Sequence, residues 1–194
     1  ASDYSKLYNV EVRIARIFNT YGPRMLERDG RVVSNFICQA LTGNPITIYG
    51  KGDQTRSFCF IDDLLDGIQS LMDKNVHYNS PVNLGNNCEL SINEFAKKIV
   101  ALTNSNSKLI YKSLPEDDPK RRCPDLSLAR KLFSYEPKIS LHSGLSKTIK
   151  YFEKVIASPS NYELSEQDND VFNSKNIRID GLESQTFEEH RSIY

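Results

Sequence analysis

The sequence predicts a mixed α/β fold, and three observations carry that expectation. Residues 10–18, VEVRIARIF, alternate charged and apolar side chains and then turn apolar, as a strand does when it passes under cover. Residues 32–41 and 92–102 place apolar side chains at the three- and four-residue spacing of amphipathic helices. Short apolar runs at 46–49 and 57–61 are bounded by Gly, Asn and Asp, the punctuation of strands.

Each element has a local cause. The 10–18 strand ends in the turn chemistry of Asn19-Thr20-Tyr21-Gly22-Pro23. In the 32–41 helix Val33, Phe36, Ile37, Ala40 and Leu41 share one stripe, and Gly43 supplies the stop. Strand 46–49 runs into Gly50-Lys51-Gly52-Asp53, and 57–61 is a second strand. Asp62 and Asp63 open a helix to about residue 74, because carboxylates in a first turn offset the helix dipole. Residues 82–84 read as strand, and Ser91 with Glu94 forms a capping box before the 92–102 helix. Strand 108–114, a short helix at 126–133 and an amphipathic helix at 145–156 follow. From residue 158 the chain is polar, acidic and without sustained period, and disorder is expected there.

This inventory does not close. A buried parallel-type strand at 10–18 takes its neighbours from βαβ units, and few follow it. The partners are expected upstream of residue 1. The opening Ala1-Ser2-Asp3-Tyr4 has no Met, basic region or apolar core, so it reads as an entry into a longer chain rather than a leader.

Composition narrows the function classes. Hydrophobic residues are 39% and charged residues 26% of 194, ordinary for a globular protein, and the formal net charge of +0 gives no support for nucleic-acid or membrane-surface binding. Residues 158–194 carry a net charge of −5 and the body before them +5, which suits an anionic small ligand. No run approaches the roughly 20 apolar residues of a membrane span. Cys38, Cys59, Cys88 and Cys123 are widely spaced, with few histidines to complete a zinc set; Cys38 and Cys59 lie in apolar runs and read as core. His77, His142 and His190 stand apart from any nucleophile pattern.

Arg24, Arg31, Arg56, Arg121 and Arg122 stand beside turns, and arginine forks match phosphate oxygens, so two or three of them fit a diphosphate. Arg56 is the most informative. It lies between a glycine turn and the apolar SFCFI, where a charge is costly unless a carboxylate or a ligand accepts it. Asp62-Asp63 is explained by helix electrostatics and Asp117-Asp118 by a loop before Pro119.

Read in order, RIFNTYGPRM, DGRVVSNFI, ITIYGKGDQTRSFCFIDDLLDGI, PVNLGN and DDPKRRCPD resemble the extended short-chain dehydrogenase/reductase family, and within it the UDP-glucuronate decarboxylases (UDP-xylose synthases). The resemblance covers about residues 4–156. A dTDP-glucose dehydratase shares N-x-Y-G-P and Y-G-x-G-x-Q-x-R; Arg24-Met25, the stretch 29–36 and Asp117-Asp118-Pro119 through Arg122 favour the decarboxylase.

The resemblance implies the carboxyl-terminal part of such an enzyme. Residues 1–23 would be the end of a Rossmann-side helix and strand, 24–157 a small α/β domain binding the UDP-sugar, and 158–194 an acidic tail. It implies that Asn19 meets the sugar nucleotide and Thr20 lies near NAD. Arg31 would stand between the sugar carboxylate and the nicotinamide, as the catalytic contributor of this chain. Thr47 and Tyr49 would lie on the uracil-binding strand, Arg56 and Arg122 would clamp the diphosphate, and Tyr4 would be a substrate-side tyrosine.

The implied reaction is NAD-dependent oxidation of UDP-glucuronate, loss of carbon dioxide and reduction to UDP-xylose, in a homodimer on the Golgi lumenal side or in the cytosol. Two parts of that machinery do not occur in this sequence: no Tyr is followed four residues later by Lys, and no Gly-rich phosphate loop opens a helix. The expectation is a binding part inactive alone. A non-catalytic sugar-nucleotide-binding or interaction module, and part of a related dehydratase or epimerase, are the alternatives.

Overall fold

In this computed structural model the chain divides into two units, Ala1–Ala157 and Ser158–Tyr194. The structure describes residues 2–27, 29–73, 78, 80–114 and 118–158, so the expected disorder from 158 on, His77, His190 and Asp117 fall almost wholly outside the described residues.

A short helix α1 (Ser2–Tyr8) leads to strand β1 (Ala15–Ile17), then β2 (Thr20–Tyr21), α2 (Val32–Leu41), β3 (Ile46–Tyr49), β4 (Thr55–Ser57) and β5 (Cys59–Phe60). Next come α3 (Ile61–Asp73), β6 (Val82–Leu84), β7 (Glu89–Ser91), α4 (Ile92–Leu102), β8 (Leu109–Lys112), β9 (Arg121–Arg122), α5 (Ser127–Phe133) and α6 (Leu141–Ala157). The strands pair in small sets: β1 with β6, β2 with β5 and β3 with β8, all parallel, and a three-stranded sheet β7-β4-β9 with β4 antiparallel to β7 and parallel to β9.

The α/β expectation holds, and the helix at 32–41, the strand at 46–49 and the capping box at Ser91 are where the sequence put them. Ser91 Oγ accepts from the Glu94 amide at 3.2 Å while Glu94 Oε2 accepts from the Ser91 amide at 2.8 Å. Two strand expectations are corrected. The 10–18 strand contracts to Ala15–Ile17, because its ladder reaches only from the Ile14 carbonyl to the Phe18 amide, where β6 runs alongside. The 57–61 strand is two strands and a helix start: Arg56 and Ser57 belong to β4, Cys59 and Phe60 to β5, and Ile61 already to α3. Alternation cannot show that one extended run changes partner midway. The Arg pair of β9 lies in a loop-like sequence and becomes strand only by adding to β4.

Two apolar clusters hold these pieces. The larger collects Tyr21, Phe36, Ile37, Ile46, Ile48, Phe58, Phe95, Ile99, Leu145 and Phe152 between α2, α4, α6 and the strands. The smaller joins Cys59, Leu64, Val82, Leu84, Leu126 and Tyr135. Cys59 is buried and Cys38 half-buried, and burial pushes both thiols up to about 11, which suits packing rather than nucleophilic work.

Asp63 does more than open α3. It is 3% exposed, and its carboxylate oxygens accept from the Lys138 and Ile139 amides at 2.9 and 3.0 Å, fixing the loop that enters α6. Gly144 lets α6 approach β5; a Cβ there would stand 2.8 Å from Phe60 Cδ2 and collide with the Tyr21 hydroxyl. Glu89 ties the sheet together by accepting from Thr55 Oγ1 at 2.8 Å and from Arg121 Nε at 2.9 Å, and those two side-chain hydrogen bonds hold its carboxyl down to about 2.

Asp63→Ala leaves the part-buried Lys138 and Ile139 amides without acceptors and is expected to cost about 2 kcal/mol in urea unfolding, with Asp63→Asn losing less because one carbonyl oxygen remains. Gly144→Ala is expected to cost about 1–3 kcal/mol by overpacking in the same measurement. The Glu89 contribution is complete above the ordinary 4.5 and disappears as pH falls to about 2, since its folded value is the lower one. Melting curves of the native chain and Glu89→Gln should therefore converge across that window.

Candidate functional site

Half of the sequence-predicted residues converge on one cavity. It measures about 170 Å³ and is lined by Asn19, Gly30, Val32, Asn35, Phe36, Thr47, Tyr49, Gln54, Arg56, Ile92 and Asp118. Four expected ligand residues, Asn19, Thr47, Tyr49 and Arg56, are on that wall although they come from separate segments of the chain.

Local structure explains each placement. Asn19 follows β1 at the step into β2, and its carbonyl accepts from the Cys59 amide at 2.9 Å, which fixes the backbone and leaves the side chain to the cavity. Thr47 and Tyr49 alternate with the buried Ile46 and Ile48 along β3, so period two sends one pair to the core and the other to the cavity. Gly50 and Gly52, both at positive φ, turn the chain from β3 towards β4. That turn cradles nothing: a Cβ at Gly50 would meet Leu114, and one at Gly52 would collide with the Asn93 side chain.

Arg56 carries the strongest electrostatic statement. It is 8% exposed, donates through Nη1 to the Thr55 carbonyl at 2.8 Å and pairs through Nη2 with Asp118 at 2.5 Å. A buried guanidinium needs such a partner. Arg122 is its registered partner across the parallel β4–β9 pair, which sends the two side chains off the same face of the sheet. Arg122 is exposed and, among the described residues, has no carboxylate of its own. Its neighbour Arg121 is instead spent on Glu89.

Arg31 stands at the rim, between the lining residues Gly30 and Val32. Its Nε pairs with Asp29 at 2.8 Å and its Nη1 donates to the Thr20 carbonyl at 3.5 Å, with the side chain 61% exposed. Asp29 is held below its ordinary carboxyl range despite burial, which acts the other way, by the Ser34 hydroxyl and the Arg31 amide and side chain. Thr20 turns its hydroxyl to the Phe18 carbonyl at 2.9 Å, beside the site rather than in its wall. Tyr4 is not brought there: it is 57% exposed and packs on Tyr8, ring centroids 4.6 Å apart.

Sequence reasoning missed Asn35, Gln54 and Asp118. Asn35 lies within α2 but off its apolar stripe; its amide donates to the Gly30 carbonyl at 3.2 Å. Gln54 Nε2 donates to the Tyr49 carbonyl at 2.8 Å. Asp118 is the carboxylate that Arg56 demanded, 62 residues away, and only the demand was legible.

Comparison with known proteins shows what the chain is similar to. Residues 1–85 match the NAD dependent epimerase/dehydratase family. UDP-glucuronic acid decarboxylase 1 of Xenopus tropicalis is 51% identical over 158 residues, which is 81% of this chain and 37% of that protein. UDP-glucuronic acid decarboxylase 4 of Arabidopsis thaliana is 49% identical over 152 residues, 78% of this chain and 34% of that one. The chain thus spans little more than a third of the length of these curated relatives. Among solved structures, the UDP-glucuronic acid 4-epimerase of Bacillus cereus in complex with UDP-glucuronic acid and NAD superposes with a TM-score of 0.74 at 27% identity, covering 79% of this chain and 49% of that one. The UDP-glucose 4-epimerase of Thermotoga maritima with UDP-glucose gives 0.75, also at 27%, covering 80% and 50%. By sequence and by fold, the chain is similar to the NAD dependent epimerase/dehydratase family over residues 1–85 and to the UDP-glucuronic acid decarboxylases over four-fifths of its own length.

Proposed function

We propose that this chain forms the UDP-sugar-binding side of a UDP-glucuronate decarboxylase. The observation that carries the reading is the register of Arg56, which walls the cavity with Asn19, Thr47 and Tyr49, opposite Arg122, which stands outside the lining on the neighbouring strand β9. Like charges directly opposite on a sheet repel unless an anion lies between them. One carboxylate, Asp118, meets one of the two guanidinium groups, and a diphosphate offers oxygens to both.

The other roles follow from position. The outer edge of β3 at Thr47 and Tyr49 presents backbone groups to the base. Asn19 donates to a phosphate or sugar oxygen without adding charge. Arg31, steered by Asp29 at the rim, puts a cation where the sugar carboxylate would lie and holds charge as carbon dioxide leaves. The substrate's own anionic groups thus select the mildly basic body of this chain.

The described residues do not by themselves fit NAD. The glycine turn after β3 is filled by Leu114 and Asn93, and among the described residues no glycine-rich turn leads from a parallel strand into a helix. The Tyr-Lys pair that the reaction needs as a base is likewise not in this sequence. The reading therefore assigns this chain binding and orientation of the sugar nucleotide, with cofactor and base supplied from the remainder of a longer enzyme, and no turnover by the chain alone.

Titration calorimetry with UDP tests the binding claim. Arg122→Ala, at an exposed position, should weaken UDP at least about tenfold, the worth of one charge-assisted pair, while leaving the melting temperature unchanged. Incubation with UDP-glucuronate and NAD should yield no UDP-xylose by chromatography; turnover would overturn the division of labour.

A further inference from the structure

The edge of β3 that faces the cavity has been edited by two glutamine side chains. The amides of Ile46 and Gly50 donate to β8, at 2.9 Å to the Lys108 carbonyl and 2.8 Å to the Lys112 carbonyl. Backbone groups alternate sides along a strand, so those of Thr47 and Tyr49 face away from β8. In order, that edge offers the Thr47 N–H, the Thr47 carbonyl, the Tyr49 N–H and the Tyr49 carbonyl. The first donates to Gln39 Oε1 at 3.0 Å, and the last accepts from Gln54 Nε2 at 2.8 Å. Among the described residues the two inner groups have no partner, and both belong to residues on the cavity wall.

One acceptor followed by one donor on a strand edge is half of a parallel ladder waiting for its mate. The mate must carry an N–H beside a carbonyl. The imide edge of a uracil ring does: N3–H can donate to the Thr47 carbonyl while the adjacent ring carbonyl accepts from the Tyr49 amide. In the same pose cytosine would set the N3 lone pair against the Thr47 carbonyl, leaving a buried acceptor facing an acceptor.

We infer that Gln39 is a base-positioning residue of this site. It is one helical turn beyond Asn35 on α2, and by occupying the Thr47 N–H it confines the base to the single acceptor–donor step between Thr47 and Tyr49. This deepens the UDP-sugar reading and rests on it. Gln39 lies outside the cavity lining and acts through the Thr47 backbone; without it a second free donor would let the ring slide along the strand by one group.

The test uses the full chain with UDP, CDP and inorganic pyrophosphate in titration calorimetry. UDP should bind the native chain at least about tenfold more tightly than CDP, the discrimination typical of a mispaired buried polar group. Gln39→Leu should weaken UDP about tenfold and leave pyrophosphate unchanged. Gln39→Glu, whose carboxylate can still accept from Thr47, should keep UDP within about threefold of native. Unchanged UDP affinity in Gln39→Leu overturns the assignment. Equal losses for UDP and pyrophosphate overturn it too, since a base-positioning residue cannot act on a ligand without a base. A native chain that binds pyrophosphate but prefers neither nucleotide sinks the Gln39 proposal and spares the diphosphate clamp; a native chain that binds none of the three sinks both.

Discussion

Two guanidinium groups held opposite one another on neighbouring strands are an expensive arrangement, and much of this structure can be understood from the need to keep them there. β9 is two residues long and has little cohesion of its own. It is held against β4 by backbone pairing and by Arg121, which reaches Glu89 on the far side of β4 and so ties all three strands. Asp118, just before β9, neutralises the member of the pair that is buried. Among the described residues, Asp118 is committed to Arg56 and Glu89 to Arg121, and Arg122 makes no ion pair.

The cavity wall is set by a second constraint, the seating of α2 beside β3. The apolar stripe of α2 buries Val33, Phe36, Ile37 and Ala40 in the larger cluster. That choice of buried face turns Asn35 to the cavity and Gln39 to the strand edge. Packing and recognition are therefore the same decision: the helix cannot bury its stripe without presenting those two amides. At the start of the helix, Asp29 gathers Ser34 and Arg31, so the rim cation is oriented by the residues that begin the helix.

Much of the site was legible in the chain before folding. Arg56 stood out because a charge beside SFCFI demands a partner, and Thr47 and Tyr49 because their strand resembles the uracil-binding edge of the family. Tyr4 was misplaced with respect to this cavity, since motif order says nothing about distance in space. Asp118, Gln54 and Gln39 were illegible for a common reason: each acts through a single hydrogen bond to a residue distant in sequence or to a backbone group, and neither leaves a pattern in the chain.

What the sequence by itself determined is the set of local elements and the chemistry they carry. Helical spacing, the Ser91 capping box and strand alternation are near-neighbour effects, so they survive without knowledge of the fold. Only the tertiary structure decided that Arg122 stands opposite Arg56, that Asp118 answers one and not the other, and that Gln39 and Gln54 reduce a strand edge to one acceptor and one donor. Register and pairing depend on contacts between segments that sequence proximity does not constrain. It is there, rather than in any single motif, that arginines and glutamines from separate segments are brought to neighbouring strand edges.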